Sequence, residues 1–354
     1  MGIQISDYER WLKKEVKSDL PSNAFCKKPL RALISIPFLI LIIIANLMLI
    51  KLSLPWYFSL SLSVLLGNLY GSFFFFGHEV AHGVVFRSKH KQDLILFPAF
   101  LIFCLSPHFW RSWHNTVHHT HTNVEGYDPD NFGTLDLFKS SRYSRVIHRF
   151  APGSQYLTSF IFIFIFFTLH AQGVLWRSTK RIYFPNFHKR RAVIETFLMI
   201  IFWVAFGFSI GLVNTLFVIL IPMLTANGVI MSYIVTNHLM RPLTNVQDTL
   251  TTSMSVTTLR TLDKLHFHFS HHVEHHLFPQ LSTKYAPIIR KSLQRHAGDR
   301  YLSPSHLKSL LILYQTPRIY DGQTELVNPP NGHSLKIKII EERLKAENGK
   351  FFLF

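Results

Sequence analysis

Three histidine clusters have spacings suited to binding metal. In His78-Glu79-Val80-Ala81-His82 the two imidazoles stand four residues apart, which puts them on one face of a helix. The second cluster is His114-Asn115-Thr116-Val117-His118-His119, with His121 just beyond it. At about 100° per residue, His114 and His118 share a helix face and His119 lies roughly a quarter-turn away. The third is His271-His272-Val273-Glu274-His275-His276, in which His272, His275 and His276 form an i, i+3, i+4 set. His238 closes an apolar run, a place equivalent to that of His78. Adjacent histidines aim at different points, and this suits two metals better than one.

Imidazole binds Fe, Zn and Cu alike, so residue type does not select the metal. The number of ligands is more informative. One zinc takes about three or four, whereas His78, His82, His114, His118, His119, His238, His272, His275 and His276 make nine. Nine ligands suit two ions with positions left open for oxygen or water. His121, His266, His268 and His271 are read as neighbours of the site or as plain polar residues. A ligating imidazole usually donates its other N–H to a carboxylate or carbonyl. The acids near the clusters are Glu79, Asp128, Asp130, Asp263 and Glu274.

Apolar segments must position these clusters. Of 354 residues, 48% are hydrophobic and 16% charged, against about 25% charged in soluble domains. Disorder and an ordinary soluble enzyme are thereby disfavoured. The two cysteines, Cys26 and Cys104, rule out a disulfide framework and a CxxC zinc site. Four runs are long and clean enough to cross about 30 Å of hydrocarbon: 32–50, 54–77, 193–211 and 214–237. The fold class is therefore an all-α membrane protein, with four transmembrane helices in two hairpins and a helical cap holding the dimetal site. The expected division is an N-terminal segment 1–31, hairpin 32–77, cap 78–191, hairpin 192–240, cap 241–320 and tail 321–354.

A further apolar stretch, 150–176, could also span. Parity argues against it, because the clusters meet only if an even number of crossings separates them. It is placed at the interface or in the cap. The stretch 94–110, broken by Pro98 and Pro107, is read as re-entrant or interfacial. Trp110, Trp113 and Trp176 flank apolar stretches and suit the interface. Lysines and arginines collect before span 1, after span 2 and before span 3, Arg181 among them. The positive-inside rule then puts both termini and every cluster in the cytoplasm. Span 1 is expected to be a retained anchor, and the tail to contain a solvated helix.

The boxes HEVAH, HNTVHH and HHVEHH resemble those of the membrane-bound fatty acid desaturase family, as do HHTHTNVEGYDPD and HFSHHVEHHLFPQLSTKYAP around them. The resemblance covers roughly residues 30–315. It implies two non-haem irons on the eight box histidines, O2 as co-substrate, four spans and a cytoplasmic catalytic cap. It implies His238 as a further ligand from the last span and Asn237 as the holder of a metal-bound water. Box two departs from the HxxHH form by one extra intervening residue. The substrate implied is an acyl chain on a membrane lipid or on coenzyme A.

Electrons must come from outside. The chain contains no HPGG haem signature, no ferredoxin-type cysteine run and no GxGxxG loop. Ferredoxin or cytochrome b5 is the expected donor. No nucleic-acid module is seen, and oligomeric state is not legible. Hydroxylases and ketolases acting on lipids or carotenoids share the boxes. HEVAH also satisfies the HExxH of intramembrane zinc proteases. That reading, like a metal transporter, leaves most of the histidines idle.

Overall fold

Leu52-Ser53-Leu54-Pro55 separates α2 (Ser35–Lys51) from α3 (Trp56–Ala81), and Pro55 sets the start of the second helix. The computed structural model describes residues 4–180, 182 and 184–346, so Arg181 and the tail beyond 346 lie outside the described residues. Before the spans, α1 (Asp7–Ser18) is capped by Ser6, whose Oγ accepts from the Glu9 amide, and it buries Leu12 and Val16. After α3, α4 (Lys89–Phe100) leads into a second helical piece, α5 (107–121), turned 99° from the first. Cys104 makes the break with φ 49°, and Ser106 caps the restart. This is the shape of the expected re-entrant excursion.

Next come α6 (Leu135–Ser140), α7 (Arg142–His148) and α8 (Phe162–Trp176). The second hairpin is α9 (Lys189–Ile210) and α10 (Leu212–His238), joined at Gly211 with φ 80°. Glu195, the one acid in α9, is not adrift in lipid. It accepts from Ser106 at 2.5 Å and from Arg191 at 2.7 Å.

Five helices are long and apolar enough to cross a membrane among the described residues, one more than the four expected. The additional one is Leu157–Lys180, which contains α8. Few side chains of α2 and α9 are buried, and their large apolar residues face outward, as in lipid contact. The inner pair, α3 and α10, pack closely. A Cβ on Gly67 would lie 2.5 Å from Thr225 Cβ and 2.6 Å from the Pro222 carbonyl oxygen. Gly67→Ala is therefore expected to push α3 off α10 and cost about 1–3 kcal/mol, read as a lower melting temperature in detergent. An unchanged melt would show that the two helices can part freely.

The cap continues with α11 (His272–Leu277), α12 (Ala286–Ala297) and α13 (His306–Gln315). The tail is not merely a solvated helix. Strands β1 (Ile319–Asp321), β2 (Glu325–Asn328) and β3 (His333–Lys336) form an antiparallel sheet in that order. Then α14 (Ile337–Lys345) buries Ile337, Ile340 and Leu344.

Candidate metal centre

The last turns of α3 and α10 end side by side and deliver His78 and His238 to one buried place. Asn115 of α5 donates to the Ala81 carbonyl at 2.8 Å, tying box two to the end of α3. Asn123 donates to the His238 carbonyl at 3.3 Å, tying the same segment to the end of α10. Ser255 accepts from the Val273 amide at 3.0 Å and so holds the start of α11.

The nine histidines fall into two groups. His78, His82, His114, His119 and His275 converge on one point; His118, His238, His272 and His276 converge on another. Within the first, Nε2 of His114 lies 2.7 Å from that of His78 and 3.2 Å from that of His119, and His119 lies 3.1 Å from His275. Within the second, His272 Nε2 lies 2.6 Å from His238 and 3.1 Å from His276. With metal–imidazole distances of about 2.1 Å, two ligands at right angles stand about 3 Å apart. These spacings therefore fit one ion in each group. Adjacent histidines do point to different groups, as at 118/119 and 275/276.

One pairing differs from expectation. Regular helix geometry joins His114 to His118, but the structure joins His114 to His119. Residues 111–118 form a π-helix, and the His119 amide bonds the His114 carbonyl. The wider turn, closed by bonds from residue i+5 to residue i, brings 114 and 119 together, a distortion often found at functional sites. The same wide turn absorbs the extra residue of box two.

Several orphaned atoms mark the centre. His82 Nε2 and both polar side-chain atoms of Asn237 are buried with no hydrogen-bond partner among the described residues. A metal would satisfy the first, and a bound water the second. His238 Nδ1 donates to the Thr252 carbonyl at 3.3 Å, which leaves Nε2 as the lone-pair atom. Burial, aided by neighbouring imidazoles, holds His272 and His276 well below the ordinary range and His275 at about 3. They are neutral, as ligands must be.

The carboxylates divide. Asp130 and Asp128 lie 3.0 and 3.3 Å from His118 Nδ1 and favour a proton there. Asp130 also accepts from His170 at 2.8 Å and Trp113 at 3.2 Å. Glu79 and Glu274 take other partners. Glu79 accepts from Arg31 at 2.6 Å and Thr283 at 2.9 Å. Burial opposes ionisation of Glu274, but Arg290, His271 and Ser255 outweigh it and hold the group at about 2. Asp263 pairs with His268 at 2.7 Å. Asp130→Asn is thus expected to weaken metal binding about 10–100-fold, measured by competition with a chelator. Unaltered affinity would remove Asp130 from the support of His118.

Trp110 and Trp113 are buried, not interfacial, and Trp110 stacks on His114 at 4.3 Å; Trp176 is exposed. His170 gave one signal in the sequence, a lone titratable residue inside a Phe/Ile run. A narrow channel runs beside the centre, walled by Phe74, Trp110, Phe162, Phe166, Phe167, Met231 and Ile234. His114 from the first group and His118, His238 and His272 from the second line it.

Apolar helices surrounding two converging histidine groups define a membrane protein with two candidate metal sites. Residues 54–308 match the fatty acid desaturase family, and the chain belongs to that family. Comparison with curated proteins returns no match.

Proposed function

We propose that the chain is an O2-dependent acyl desaturase with one iron in each histidine group. The observation that carries this reading is the channel. It is apolar, aromatic and lined by histidines from both groups. Bound iron would supply oxidation of an unactivated C–H bond with O2 and two external electrons, which side chains alone cannot provide. The residues do the remainder. Phe74, Phe166 and Phe167 hold an acyl chain and exclude water. Asp128 and Asp130 keep the proton on His118 Nδ1. Asn237 would hold a water at the second group. The protease reading loses support because Glu79, its required base, is engaged by Arg31 and Thr283.

Four crossings remain our reading, with Leu157–Lys180 lying along the interface. Thr158 Oγ1 donates to the Arg149 carbonyl, while Arg177 at the other end stacks over Tyr143. Tyr143 lies in the seven-residue helix α7, and Arg149 directly follows it. Both contacts tie the helix to the 142–149 segment, which we place in the cap. The basic segments beside the spans support a cytoplasmic centre. A separate donor would meet the cleft lined by His82, Arg87, Lys89 and Arg111, whose cations suit an acidic electron carrier.

Expression in a host with simple saturated lipids tests the reading. Mass spectrometry is expected to show a new double bond. A hydroxylated lipid would assign the chain to the hydroxylase branch, and an unchanged lipid profile would overturn the reading.

A further inference from the structure

The channel continues past the metal centre. Asp130, Phe132, Phe166 and His170 line both it and a wider cleft between the 125–134 loop, α7 and the end of α8. Around this mouth Tyr143 is 46% exposed and Trp176 48%, beside the cation Arg177. Exposed aromatics next to basic residues are the composition of a membrane interface.

Two charges in the cleft wall stand open. The Arg177 guanidinium carbon sits 3.5 Å from the Tyr143 ring centroid and has no carboxylate partner among the described residues. Glu125 lines the same wall and has no cation partner among them. Asp128 and Asp130 are already taken by His118 and His170. Among the described residues the mouth therefore offers one cation and one anion.

We propose that this cleft seats the head group of a zwitterionic phospholipid, with the phosphate on Arg177 and the ammonium toward Glu125, so that the acyl chain enters the channel while still esterified. This rests on the desaturase reading of the centre. Charge complementarity selects the lipid over acyl-coenzyme A. Coenzyme A carries several phosphates, and the described wall offers them one arginine beside the exposed carboxylate of Glu125. Arg177 matches a single phosphate, stacked on Tyr143 and free to bond in a forked geometry.

The purified full chain is incubated in detergent with phosphatidylethanolamine, phosphatidylglycerol or stearoyl-coenzyme A, and retained ligand is read by native mass spectrometry. Wild type is expected to retain phosphatidylethanolamine best. Arg177→Gln should retain roughly tenfold less, and Arg177→Lys should recover part of the loss, which shows that charge is responsible and not misfolding. Glu125→Gln should erase the preference for phosphatidylethanolamine over phosphatidylglycerol. Retention indifferent to Arg177, or stearoyl-coenzyme A displacing the lipid, overturns the proposal. A second arm follows labelled stearate in nanodiscs. If retention follows Arg177 but no stearate is oxidised, the head-group site stands and the desaturase reading fails. If stearoyl-coenzyme A is desaturated and Arg177 has no effect on retention, the head-group site fails and the desaturase reading stands.

Discussion

His275→Ala is expected to remove the metal of the five-histidine group and reduce product formation by roughly a hundredfold or more. The His275 imidazole reaches His119 at 3.1 Å, and its ring centroid lies 4.4 Å from that of His78. It belongs to no other network of the described residues. Its loss leaves four imidazoles around a point built for five. Alanine is a good helix former, and the His275 amide bond to the His271 carbonyl persists, so α11 should survive. Metal analysis on the purified variant separates a lost ligand from a lost fold. The expected result is about one iron where wild type holds about two, with melting nearly unchanged. His276→Ala should give the complementary loss from the other group. His266→Ala is the control: His266 bonds Tyr233 and Asn68 in neither group, so it should keep both metals. Equal metal loss in all three variants would mean that the two groups are not separate sites.

The box histidines were legible because helix spacing turns sequence intervals into faces, and the pairing of His78 with His82 needs nothing more. His114 with His119 was not legible. The π-turn lies in a segment pinned by Asn115 to Ala81 and by Asn123 to His238, partners far apart in sequence. Acids were harder still. Glu79 and Glu274 stand inside the boxes in sequence yet turn to Arg31 and Arg290, while Asp130, outside every box, reaches His118. A helix carries neighbours in sequence to opposite sides, so proximity along the chain does not say which acid meets a ligand. The sequence showed 150–176 as apolar enough to span, but not that Thr158 and Arg177, near the two ends of Leu157–Lys180, touch Arg149 and Tyr143.

The C-terminal sheet is where the sequence said least, and Arg318 tests what that sheet does. It is 1% exposed and faces carbonyls, with no carboxylate partner among the described residues. Its guanidinium donates to Pro152 at 3.0 Å and Leu239 at 2.9 Å, and also to Thr316 and Leu313. Leu239 directly follows His238. Two residues on, Arg241 donates to Leu250 and Thr251, while its own carbonyl accepts from Tyr320 at 2.6 Å. The segment leaving α10 is thus fastened on both sides by residues beyond 308, outside the family match. Burial pulls Arg318 down to about 9, which still leaves it charged at neutral pH. Arg318→Ala should cost about 3–5 kcal/mol, because several buried carbonyls lose a charged donor and a cavity opens. Since the bond to Leu239 anchors the end of α10, the loss should fall unevenly on the metals. The four-histidine group containing His238 should release its ion to a chelator first, with the five-histidine group following only as the fold melts. Arg318→Lys can reach one or two of the carbonyls and should restore part of the melting temperature. Metal release from both groups at equal rates would show that the sheet supports the cap in general and not the His238 end of the centre.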